Sequence, residues 1–175
     1  MDKYPGMKGE PPAGMKVVIR PACGADREPV MKIFNFYATE SFAAYPEGPV
    51  PDRMFEFMSE DAISFVVAES AGAVVGFGLL KPFMPFAAFR ATATASYFIG
   101  QEYTRTGTGT RILKYIETRA KQAGVTALVV HISSKNDASI RFHLKNGFTE
   151  AGRLLSVGKK FGEPFDIVWM QKTLS

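Results

Sequence analysis

A single cysteine, Cys23, stands in the 175 residues, so no intrachain disulfide can form and a reducing, cytoplasmic setting is expected. Long hydrophobic runs are also missing. The longest apolar stretches, 62–68 and 73–80, fall well short of the roughly 20 residues that a membrane-spanning helix needs. The opening Met-Asp-Lys-Tyr-Pro-Gly lacks the apolar core of a secretory signal. Charge of one sign is scarce too: 21 Lys and Arg against 17 Asp and Glu leave +4, with a pI of about 9.2. That scattered excess suits an anionic ligand and gives no footing for nucleic acid. What is present, 46% hydrophobic and 22% charged residues, excludes disordered and collagen-like chains. Residues 1–14 hold Pro5, Gly6, Gly9, Pro11, Pro12 and Gly14 and read as a flexible tail ahead of one domain, 15–175.

The β-branched run Val17-Val18-Ile19 before Pro21 predicts a first strand. After Asp26, the spacing of Val30, Ile33, Phe34 and Tyr37 predicts a helix with one apolar face. A loop over 43–51 leads to a short helix that Asp52 can cap, with Met54, Phe55 and Met58 inside. Two strands, 64–69 and 74–80, flank the hairpin turn Ser70-Ala71-Gly72-Ala73. Pro82 and Pro85 exclude regular structure from 81–90. A strand over 91–99, a helix over 109–123 closed by Gly124 and a strand over 127–132 form a β-loop-α-β unit. A helix over 138–146 and strands near 148–155 and 165–172 complete a mixed sheet with helices on both faces.

Between strand and helix lies Thr104-Arg105-Thr106-Gly107-Thr108-Gly109-Thr110-Arg111. Successive amides at a helix start, aided by its positive dipole end, bind pyrophosphate, and glycine permits close approach. Neither a Walker loop nor a Rossmann fingerprint is present. The order Ile19-Arg20-Pro21-Ala22, Val74-Val75-Gly76-Phe77, Gly107-Thr108-Gly109, Asn136-Asp137-Ala138-Ser139, His143 and Gly147-Phe148 resembles the GNAT superfamily of N-acetyltransferases. Phe34-Asn35, Glu47-Gly48-Pro49-Val50, the 81–90 loop, Lys160-Phe161-Gly162 and Asp166-Ile167-Val168-Trp169-Met170-Gln171 resemble its phosphinothricin acetyltransferase group. The resemblance implies the GNAT-like fold: α/β (α+β), a mixed, mostly antiparallel, twisted sheet of six or seven strands. It also implies acetyl transfer from acetyl-CoA to a small primary amine, in a homodimer, without a metal.

By the same resemblance, the strand around Phe98, Ile99 and Gly100 splays from its neighbour and pairs with the pantetheine arm, while amides of Thr104, Arg105, Thr106, Gly107, Thr108, Gly109 and Thr110 hold the pyrophosphate. Asn136 matches the asparagine that bonds the cofactor arm, and an asparagine before a helix is equally an N-cap. His143, two helical turns further on, matches the position of the acid that protonates the leaving thiolate; His131 is read as structural. Three departures stand out. Thr94 replaces a glutamate implicated as general base, leaving a water relay through Thr94 and Thr92, a distant Glu40 or Glu69, or lost activity. Freeing an amine of pKa about 10.4 at pH 7 costs about 4.6 kcal/mol, against about 1.4 kcal/mol for one near 8, so a weakly basic acceptor misses the glutamate least. Thr104 stands where arginine or glutamine is usual, with Arg105 beside it. A loop arginine is replaced near Met84, which leaves Arg90 as a carboxylate clamp. Phe36, Phe83, Phe86 and Phe89 line an apolar acceptor pocket or belong to the core. A weakened acyl-CoA-binding regulatory protein is the alternative expectation.

Overall fold

A computed structural model describes residues 16–174; the expected tail, 1–14, lies outside the described residues. Seven strands form one sheet: β1 (Val17–Pro21), β2 (Ser64–Ser70), β3 (Ala73–Pro82), β4 (Thr92–Ile99), β5 (Ala127–Ser133), β6 (Thr149–Lys160) and β7 (Glu163–Thr173), in the order β1-β2-β3-β4-β5-β7-β6. Every neighbouring pair is antiparallel except β4–β5. That parallel step is the crossover expected of the β-loop-α-β unit.

Alternation along the strands divides the core in two. Helices α1 (Arg27–Glu40) and α2 (Met54–Ser59) cover one face, where Val30, Met31, Phe55 and Met58 meet Val67, Phe77 and Leu79. Helix α3 (Thr108–Gln122) covers the other, burying Ile112, Leu113, Ile116 and Ala120 against Val66, Val75, Ala93 and Leu128. Helix α4 (Asp137–Lys145) adds Ile140 and Phe142 on that side. Each large aliphatic buried this way contributes about 2 kcal/mol. Close approach of α3 requires Gly78, because a Cβ there would stand 2.5 Å from Ile112 Cγ2 and 2.8 Å from Ile116 Cδ1. No helix among the described residues is long and apolar enough to cross a membrane.

Several expectations need correction. Asp52 does not cap α2: its carbonyl accepts from Phe55 N–H at 2.9 Å, and the N-cap is Arg53, without a side-chain bond. Regular structure enters the proline loop, for β3 runs on through Pro82 and a 3-10 turn forms at Ala87–Phe89. Pro82 is tolerated because its missing N–H would point past the end of β2, whose last partner is Leu80. The last two strands are longer than expected, since bulges between Glu150 and Gly152 and between Leu154 and Gly158 carry β6 on to Lys160.

Candidate active site

Strands β4 and β5 part company. They pair only through Thr92↔Ala127, Ala93↔Leu128 and Thr94↔Val129, although β4 continues to Ile99 and β5 to Ser133. Strand β5 stays with β7 along its whole length, so an open seam begins beyond Thr94. Gly100 N–H donates to Val75 O at 2.8 Å, which fixes the alternation on β4. Even-numbered residues bond to β3, and the main-chain groups of Ala95, Tyr97 and Ile99 face the seam. The expectation for Phe98, Ile99 and Gly100 is thereby revised. Gly100 and Phe98 are committed to β3, Ile99 faces the seam, and Tyr97, which sequence reasoning missed, faces it as well. The Tyr37 hydroxyl of α1 donates to Ile99 O at 2.6 Å, holding the splayed end in place.

The seam runs toward the start of α3. Here the threonine side chains fold inward: Thr104 Oγ1 donates to Gln101 O at 2.9 Å and Thr106 Oγ1 to Tyr103 O at 2.7 Å. Since Thr106 has used its only proton, the buried Thr108 hydroxyl donates to Thr106 Oγ1 at 2.8 Å. Gly107 is the N-cap at φ +86°, a conformation that suits glycine, and Arg105 takes φ +62°. Thr104 N–H donates to Gln101 O. For the N–H groups of Arg105 through Thr110 there is no protein acceptor among the described residues. Six amides at a helix start form a cradle for an anion.

The sequence profile of the acetyltransferase (GNAT) family matches residues 30–148. The chain belongs to the GNAT family. An L-methionine sulfoximine/L-methionine sulfone acetyltransferase of Pseudomonas aeruginosa is 31% identical over 91% of this chain and 96% of its own length. The structure of a ribosomal-protein-alanine N-acetyltransferase of Brucella melitensis superposes with a TM-score of 0.83 at 33% identity, covering 90% of this chain and 99% of that one. A phosphinothricin acetyltransferase of Sinorhizobium meliloti in complex with acetyl-CoA gives a TM-score of 0.84 at 25% identity, covering 91% and 89%. The protein is therefore a GNAT-family acetyltransferase, similar to enzymes named for methionine sulfone and phosphinothricin, one of which is solved with acetyl-CoA bound.

On the α3–α4 face of this GNAT sheet, Asn136 caps α4, its Oδ1 accepting from Ser139 N–H at 3.2 Å. The Nδ2 group has no partner among the described residues, so cap and ligand donor are compatible. His143 is 4% exposed, and both ring nitrogens are engaged. Nδ1 lies 2.7 Å from Ser139 O, which accepts only, so Nδ1 carries the proton. Nε2 then accepts from the Tyr97 hydroxyl, and the two rings stack at 5.5 Å. Burial pushes the imidazole pKa down despite the Ser139 carbonyl, and burial with help from Glu117 raises that of Tyr97. His143 thus reaches the seam through Tyr97.

The opposite face carries Thr94, Ser96, Val129, His131 and Trp169, since directly paired residues share a face. Phe83 meets Trp169 edge-on at 6.3 Å and Phe89 at 5.8 Å, His131 lies 5.3 Å from Trp169, and Tyr45 stacks on His131 and on Phe165. Phe83 therefore joins an aromatic wall. Phe36 does not: its ring packs edge-on against Tyr37. Phe86 is exposed beside Arg90 on an outer depression, and the Arg90 guanidinium has no bonded partner among the described residues. Glu69 cannot serve as a distant base, because Arg20 holds it at 2.7 Å on β2, two strands from β4. The family-like segments meet in holding the wall: Asn35 brackets Val50 with bonds of 2.8 and 3.2 Å. Lys160, wholly buried, donates to Ser41 O and Ala44 O at 2.6 Å each, and Glu47 accepts from Phe161 N–H. His131 was read as structural and Trp169 only as part of a family-like segment, because register across β5 and β7 is a tertiary fact.

Proposed function

We propose that the protein moves the acetyl group of acetyl-CoA to the primary amine of a small amino-acid-like molecule by direct attack in a ternary complex. The observation that carries this reading is the seam: the main-chain groups of Tyr97 and the Ile99 N–H pair with no strand there and run on toward the amide cradle at Arg105 to Thr110, while Tyr37 holds Ile99 O. A linear carrier with an anionic end fits such a track, its arm bonding like a missing strand and its pyrophosphate meeting the helix dipole. The seam N–H groups also suit a developing oxyanion. The amine nitrogen bonds to the acetyl carbon, the C–S bond breaks, and the sulfur takes a proton from the Tyr97 hydroxyl, which turns it away from His143 Nε2 and regains one as the nitrogen sheds its second proton. Asn136 Nδ2 supports the arm from α4, and Arg105 adds charge where Thr104 cannot.

The aromatic wall favours an acceptor with an apolar side chain. Thr94 faces the same side as a polar neighbour of the amine, whereas Arg90, expected as a carboxylate clamp, lies on the outer depression with Phe86, Ala123 and Val125, away from the wall. Methionine sulfone and phosphinothricin, acceptors named for relatives, are the first candidates. A cytoplasmic homodimer agrees with the free Cys23 and with Leu154, Leu155 and Val157 exposed along β6. Release of free CoA against a panel of amines tests the activity, and sedimentation tests the dimer. Turnover with amino-acid analogues supports the reading; tight acetyl-CoA binding with no turnover on any amine refutes it in favour of a regulatory binding protein.

A further inference from the structure

We propose that His131, on β5, is the base that takes the proton from the acceptor's ammonium group, filling the role for which Thr94 has no chemistry. The inference rests on the reading that this chain acetylates amines. His131 stands two residues beyond Val129, the last partner of β4, so it lies about 7 Å up the β5 flank of the seam. Its side chain is on the same face as Thr94 and Ser96, the face opposite α3 and α4. It keeps solvent-exposed surface, in contrast to His143, while Tyr45 and Trp169 pack against its ring and partly desolvate it.

The surroundings set it up as a neutral acceptor. Tyr45 Oη lies 2.8 Å from Nδ1 and 3.3 Å from the His131 carbonyl. When the phenol donates to the carbonyl and accepts from Nδ1–H, Nε2 is a free lone pair. Trp169 and the stacked Tyr45 ring fix the plane of the imidazole. Tyr45 is the only titratable side chain bonded to it among the described residues, and Thr94 and Ser96 on β4 and Phe165, Ile167 and Trp169 on β7 share its face without charge. Burial lowers the His131 pKa and raises that of Tyr45 to about 12, which keeps both neutral at pH 7. The step balances: R–NH3+ gives one proton to Nε2, the freed amine attacks the acetyl carbon, and its second proton offsets the one that the thiolate receives. The imidazolium then returns its proton to water.

The test compares the parent with His131→Gln and His131→Ala, using amines of graded pKa, over pH 6 to 10. Without the base only the free amine reacts. For an amine of pKa about 9.5, kcat/KM should therefore fall up to about 300-fold at pH 7, climb about tenfold per pH unit and regain the parent value near pH 9.5. An amine of pKa near 7 should lose almost nothing, added imidazole should rescue the alanine variant, and acetyl-CoA affinity should not move. A loss that is equal for all amines and all pH values, or parent-like rates in both variants, overturns the proposal. A parent that acetylates no amine refutes the underlying activity instead, a result visible before any variant is made.

Discussion

Removing one oxygen, in Tyr97→Phe, separates the two jobs that the Tyr97–His143 pair performs. The ring stack at 5.5 Å survives, so packing is kept. Buried Nε2 of His143 loses its donor, which costs about 1–3 kcal/mol of stability. The chemical loss follows from the thiol: with a pKa of about 8.5, releasing CoA as thiolate at pH 7 is uphill by about 2 kcal/mol, a factor of roughly 30 in rate. The expected result is a kcat lowered about 30-fold at pH 7, an unchanged acetyl-CoA dissociation constant, and a deficit that shrinks toward none above about pH 8.5, where the thiolate is a stable leaving group. Stopped-flow detection of free thiol, with calorimetry for binding, reads both quantities. A kcat within twofold of the parent at pH 7, or a deficit that persists undiminished at pH 9, refutes the role given to the hydroxyl.

Thr108→Val keeps shape but deletes the buried bond to Thr106, so acetyl-CoA affinity should weaken about tenfold at saturable, unchanged kcat; unaltered affinity counts against the cradle. Gly78→Ala forces a Cβ to within 2.5 Å of Ile112 and should cost about 1–3 kcal/mol, lowering Tm by roughly 3–10 °C in differential scanning calorimetry. Both histidines have folded pKa values depressed below 6.5 by burial. For the buried His143 the contribution to stability is then complete above about pH 6.5 and is lost as pH falls below it, by up to about 1.4 kcal/mol per pH unit, while that of the solvent-screened His131 is smaller. Urea unfolding from pH 5 to 7 measures the slope, and His143→Gln should flatten it.

The cradle was legible because its signals are local: two glycines, a periodic apolar face from Ile112 to Ala120 and a glycine stop at Gly124. Asn136 was legible for the same reason, since a cap is read within four residues. The seam was not. Nothing in 92–99 or 127–133 distinguishes a ladder that breaks after Thr94 from one that continues, because that depends on β5 keeping faith with β7. Assignment of Phe98 and Gly100 to the cofactor failed by one residue of alternation, which Gly100 N–H to Val75 O decides. His131 was set aside as a mid-strand histidine; only register places it beside Tyr45 and Trp169. Lys160, fully buried, could not be distinguished from a surface lysine by its neighbours in sequence.

A crystal structure with CoA bound tests the central claim most directly. The account predicts the pantetheine arm lying between β4 and β5, bonded to main-chain groups of Tyr97 and Ile99, with pyrophosphate oxygens on the amides from Arg105 to Thr110. A cofactor bound elsewhere, or a seam that closes into a continuous β4–β5 ladder beyond Thr94, contradicts it.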